Sequence, residues 1–79
     1  MKTYRIFDTE KSLLSQGCII SAKKPIDAMN EYCKVNHPDF FPKRSGGNDV
    51  RLSATEVVIQ DGNIYLAGKA TIWYELKQI

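Results

Sequence analysis

One segment, residues 24–38 (KPIDAMNEYCKVNHP), carries the period of an amphipathic helix, and everything around it alternates or breaks in ways that admit only strands and loops. At about 3.6 residues per turn, Ile26, Ala28, Met29, Tyr32, Cys33 and Val35 fall on one half of the helix, and Asp27, Asn30, Glu31 and Lys34 on the other. A lone helix has one face to bury. Whatever sheet the strands make is therefore covered on one side only.

The ends of this helix are written in the sequence as well. Pro25 suits the first helical position, where a missing N–H costs nothing. Asp27 and Glu31 lie early and Lys34 and His37 late, as the helix dipole favours, and Pro38 pushes the residue before it out of the helical region. Lys24 is a poor capping residue, so the N-terminal boundary is the less sharply marked of the two.

Residues 3–8 are rich in β-branched and aromatic types and run into the polar cluster Asp8, Thr9, Glu10 and Lys11, a turn signal. Residues 13–22 read as the return strand, with Cys18, Ile20 and Ala22 on one face and a bulge at Gly17. Residues 37–49 hold two prolines and two glycines without a period and read as a loop. Within it Phe40 and Phe41 tuck a ring under the sheet edge, and residues 43–48 form a basic tip. Residues 50–60 and 63–76 are joined by Asp61, Gly62 and Asn63, a strong hairpin signal, and should pair as one long hairpin. In the last run Ile64, Leu66, Gly68, Ala70, Ile72, Tyr74 and Leu76 alternate with Tyr65, Ala67, Lys69, Thr71, Trp73 and Glu75, and the first set is expected to face the helix. A change of parity between Ala54 and Val57 predicts a bulge near Thr55 and Glu56. The expectation is a single α+β domain over residues 1–79, in the order β-β-α-β-β, with an antiparallel sheet of about four strands and one helix packed on one face.

The balance of charges narrows the function classes. Eleven Lys and Arg against nine Asp and Glu give a formal charge of +2, too weak a field to hold duplex nucleic acid through many phosphates. No leader pattern opens the chain and no apolar run approaches the roughly 20 residues of a membrane span, so the expected setting is soluble and cytoplasmic, with no membrane partner. Cys18 and Cys33 lie in apolar periodic segments outside any C-x-x-C pair and read as buried, reduced thiols.

Catalytic signals are sparse. Cys33 and His37 stand four apart, a spacing that suits two metal ligands or a thiolate beside a base, with Asp39 near and Cys18 as a further ligand. The plainer reading is a helix-end histidine beside a core cysteine. The tip formed by Lys43, Arg44, Ser45, Gly46, Gly47 and Asn48 offers two cations and backbone donors to a phosphate but lacks the P-loop ending. No dinucleotide fingerprint, catalytic triad order or other cofactor motif is present, so neither an enzyme nor a cofactor is expected.

The side of the sheet left open by the helix is the better clue. Tyr65, Lys69, Thr71, Trp73 and Glu75 are expected there, joined by Arg5 and Phe7 or else by Tyr4 and Ile6. Aromatic rings with interspersed cations serve protein interfaces or stack single-stranded nucleic acid; the alternative is cross-strand packing that only stabilises the sheet. The candidate partner-binding residues are Tyr65, Lys69, Trp73, Phe41, Lys43 and Arg44. In size and β-β-α-β-β order the chain is similar to various small proteins of bacteria, plasmids and phages, including inhibitors that block a host machine by binding it. The expected function is a non-enzymatic protein-binding module, an inhibitor or adaptor; the alternatives are a single-stranded nucleic-acid binding protein and a homodimeric structural protein.

Overall fold

The computed structural model describes residues 1–9, 18–46 and 51–79. Helix α1 (Pro25–Asn36) begins and ends where the sequence marks it. Lys24 is extended and its side chain makes no capping bond; its carbonyl instead accepts the Asp27 and Ala28 N–H groups at 3.1 and 3.3 Å. At the other end the His37 N–H returns to the Cys33 carbonyl at 2.9 Å. Ala28, Met29, Tyr32 and Cys33 are buried, as the helical period requires, and Ile26 is half-buried. Val35, expected on the same face, is 81% exposed, because it lies at the edge of the buried arc.

Among the described residues six strands, not four, form one antiparallel sheet: β1 (Lys2–Asp8), β2 (Cys18–Ala22), β3 (Phe40–Arg44), β4 (Leu52–Gln60), β5 (Asn63–Leu66) and β6 (Ile72–Gln78). Their spatial order is β2-β1-β4-β6-β3, with β5 paired to β4. The helix touches both edge strands, β2 and β3, as well as β1 and β4, so the sheet curls around it. The bulge expected at Gly17 and the residues 47–50 of the expected basic tip and strand start lie outside the described residues.

Strand β3 overturns the reading of residues 37–49 as a loop. Its two phenylalanines, proline and two cations show no clean period because it is an edge strand, open on one side, where proline is tolerated. The ladder explains how. Ser45 N–H bonds Trp73 O at 2.9 Å and Ile79 N–H bonds Asp39 O at 3.1 Å. Bonded and non-bonded pairs alternate along an antiparallel ladder, so the Pro42–Leu76 pair is non-bonded and the nitrogen of Pro42 faces away from β6.

The expected long terminal hairpin is two strands with a seam between them. Val57 pairs with Leu66 and Ala54 with Ile72, so two residues of β4, Thr55 and Glu56, stand opposite the five residues 67–71. The odd excess inverts the alternation, so Ile64 and Leu66 do not share the face of Tyr74, as an uninterrupted strand would require. Gly68, at φ 79°, supplies the left-handed conformation that the excursion needs. The expected bulge at Thr55 and Glu56 is therefore on the wrong strand: β4 keeps an unbroken register with β1 from Leu52 to Val57. The turn itself is as expected, with Asp61 at φ 53° and Gly62 at φ 80°, the pair of positive angles that matches strand twist in a two-residue hairpin.

The core lies between α1 and one side of the sheet. Tyr4 and Ile6 of β1, Ala22 of β2, Leu52 and Ala54 of β4 and Tyr74 of β6 close on the four buried helix residues. Ile6, Met29 and Leu52 are its largest fully buried side chains, each contributing about 1.5–3 kcal/mol by leaving water. Ile20, Ile26, Ile72 and Leu76 complete its rim.

Candidate protein-binding face

Register fixes what the helix-free side carries, because directly paired residues point the same way. Phe7, Ser53 and Trp73 form one row across β1, β4 and β6. Ile19, Arg5 and Thr55 form the next across β2, β1 and β4, and Thr3, Val57 and Leu66 a third. Toward the β3 edge Lys43 pairs with Glu75 and Phe41 with Lys77. The middle of this face is small and closed: Ser53, Thr55 and Val57 are buried although no helix of the described residues lies over them. Thr55 is tied to the excursion by a hydroxyl pair with Thr71 at 2.9 Å. Around that centre stand large exposed groups, with Trp73 and Phe41 each 46% and Phe7 38% exposed. The Arg5 guanidinium sits 4.8 Å from the centroid of the Phe7 ring, a cation–π contact that holds the ring in place. Lys77 pairs with Glu75 at 3.3 Å, leaving the cationic head of Lys43 at the same edge.

The six sequence-predicted binding residues do not stay together. Trp73, Phe41 and Lys43 share the helix-free side. Of the two pairs expected to join them from β1, Arg5 and Phe7 do so, while Tyr4 and Ile6 are core. Tyr65 is exposed, but it pairs with Val58 on the opposite side of the sheet from Trp73, because the seam at 67–71 reverses the alternation. Lys69 and Arg44 lie instead on the helix side, lining a groove with Tyr4 and Pro25. Beyond Val57, β4 and β5 run on as a two-stranded arm whose Val58, Ile59, Ile64, Tyr65 and Leu66 are all exposed. Ile64 and Leu66, expected from the alternation to face the helix, extend past it instead.

Under the C-terminal turn of α1 lies a buried polar cluster. The Tyr32 hydroxyl donates to Asp8 Oδ2 at 2.9 Å, and His37 Nε2 lies 2.6 Å from the same oxygen. The side chains of Asp8 and His37 are 2% and 9% exposed. Burial, and then the bond to Asp8, push the Tyr32 phenol well above its ordinary range. Burial, and then the Asp8 charge, raise the Cys33 thiol to about 11. A thiol so raised is neutral at physiological pH and a poor nucleophile. The partner of His37 is thus Asp8 and not Asp39 or Cys33. Among the described residues no group of three or more His, Cys, Asp and Glu is arranged to hold a metal ion. Cys18, expected to be buried, is exposed at the start of β2. Asp8 was readable: Tyr4, Ile6 and Asp8 alternate, which puts the carboxylate on the core face, but a turn-forming residue at a strand end masks that signal.

No helix among the described residues is long and apolar enough to cross a membrane. A scan against protein-family models, a search of curated proteins and a search of solved structures each found no match to this chain.

Proposed function

We propose that this chain is a non-enzymatic protein-binding module that meets its partner with the helix-free side of the sheet. The observation that carries this reading is the Phe7–Ser53–Trp73 row, two solvent-facing rings either side of a small residue on a regular strand platform. Exposed aromatic rings gain most by leaving water, and Trp, Tyr and Arg are the residues on which interface energy concentrates. A regular strand platform holds them without further ordering cost. Acting by occupancy, such a module serves as an inhibitor or an adaptor.

A second reading is supported by Arg5 and Lys43 on the same side as Phe7, Phe41 and Trp73. Rings and cations in that arrangement stack single-stranded nucleic acid. A photo-crosslinking residue placed at Trp73 and, as control, at the exposed helix position Val35 separates the two readings. A protein adduct formed from position 73 alone and surviving nuclease treatment supports protein binding. Salt-sensitive quenching of Trp73 by short oligonucleotides, with no protein adduct, supports the nucleic-acid reading. Sedimentation at several concentrations tests the third alternative, a homodimer, which a constant monomer mass ends.

A further inference from the structure

Among the described residues β5 is paired on one side only, to β4. We propose that its open edge joins the same edge of a second copy of this chain, making a two-fold dimer through one continuous antiparallel sheet.

The ladder sets which backbone groups are on offer. The Ala67 N–H bonds the Glu56 carbonyl at 3.1 Å, and bonded and non-bonded pairs alternate along the strands from there. Tyr65 and Asn63 therefore direct their backbone groups to Val58 and Gln60, while Ile64 and Leu66, opposite Ile59 and Val57, turn theirs outward. Nothing in the strand guards them. The border strand β3 carries Pro42, Lys43 and Arg44, residue types that keep an edge from pairing, whereas β5 is Asn63, Ile64, Tyr65 and Leu66, without charge or proline. All four are exposed.

A second copy fits this edge because the edge is complementary to itself. Run antiparallel, the register that uses both outward residues of each copy sets Ile64 against Leu66 of the second copy and Leu66 against its Ile64, with the two-fold axis at Tyr65. Two isoleucines and two leucines then meet on the helix-free side beside Ile59 and Val57, and on the other side Tyr65 meets its own copy. Charge favours the same register. Asp61 is the one charged residue in the segment 57–66, and Lys69 lies as far beyond the axis as Asp61 lies before it. Each exposed carboxylate is thus brought level with an exposed ammonium of the second copy, once on either side of the axis. Edge pairing leaves the Phe7 and Trp73 face free, so the dimer does not rest on the function proposed above.

The test is sedimentation velocity of the full chain over a wide concentration range, together with a disulfide trap. The mass should rise from monomer to dimer. Leu66→Pro, which removes an outward N–H and no bond to β4, and Ile64→Lys/Leu66→Lys, which sets four cations about the axis, should each stay monomeric over that range while the urea midpoint of dilute samples is kept. Asp61→Asn should weaken association about two- to tenfold. In a Cys18→Ser background, Tyr65→Cys should form an intermolecular disulfide on mild oxidation, since non-bonded partners stand about 4.5 Å apart; Asn63→Cys, about 14 Å from its copy, should not. Trp73→Ala should dimerise as the original chain does. A constant monomer mass overturns the proposal and leaves the reading of the helix-free side untouched. Undiminished association of both folded edge variants, a disulfide from position 63 in place of 65, or a dimer lost with Trp73→Ala and kept with Leu66→Pro overturns it equally.

Discussion

The two sides of β4 are closed by different means. On the helix side Leu52 and Ala54 are buried by apolar contact with α1, β1 and β6. On the other side Ser53 and Thr55 are also buried, with no helix of the described residues above them, beside neighbouring strands and the Thr55–Thr71 hydroxyl pair. The first arrangement stores folding energy. The second makes a closed floor flanked by the exposed Phe7 and Trp73, so the same strand serves as the keel of the core and as the base of the docking surface proposed above.

Substitutions can break this contrast, beginning with the core. Leu52→Ala should cost about 3–5 kcal/mol in urea unfolding, most of the stability available to a domain of this size, which is on the order of 5 kcal/mol. Trp73→Ala, on the opposite side, should cost under about 1 kcal/mol yet abolish partner crosslinking. If Trp73→Ala instead unfolds the chain, the helix-free side is a core and the docking surface does not exist. Asp8→Ala, which strands two buried partners, Tyr32 and His37, should cost about 2–4 kcal/mol. Gly68→Ala forces a side chain to φ 79° and should cost about 1 kcal/mol, loosening the seam without touching the core.

Titration sharpens the contrast at smaller cost. The Cys33 thiol has its folded pKa raised from the ordinary 9.0 to about 11, so the unfolded chain ionises first. Its contribution is complete below the unfolded value and is lost between about pH 9 and about pH 11, visible as a falling unfolding midpoint over that window. At pH 7 a soluble alkylating agent should modify exposed Cys18 and leave Cys33 unmodified until the chain opens, as mass spectrometry of quenched samples would show. The smallest effect is expected at Tyr65, where replacement by Ala should alter stability by no more than about 0.5 kcal/mol and leave crosslinking from position 73 intact.

Local signals with short reach were legible in the sequence. The helix, its proline ends, the turn at Asp61 and Gly62 and the placing of Trp73 on the uncovered side all follow from periods and turn chemistry within a few residues. The seam was not legible, since seven alternating positions read as one strand whether or not a glycine in their midst turns left-handed. From that single reversal came the wrong face for Tyr65 and the missed placing of Lys69 on the helix side. Strand β3 was hidden for a different reason: an edge strand is paired on one side only, and neither period nor composition need mark it. The Asp8 cluster depends on contacts nearly thirty residues apart, which no local pattern encodes.

Pro42 has a last consequence. Of the amides that β3 turns outward, the central one is missing, because proline has no hydrogen there and the alternation of the ladder aims its nitrogen away from β6. A neighbouring molecule that tried to extend the layer along this border would find its middle tie absent. Growth into fibrils from the β3 rim is thereby discouraged, and Pro42→Val should raise the propensity of concentrated samples to form thioflavin-positive aggregates while leaving the fold in place.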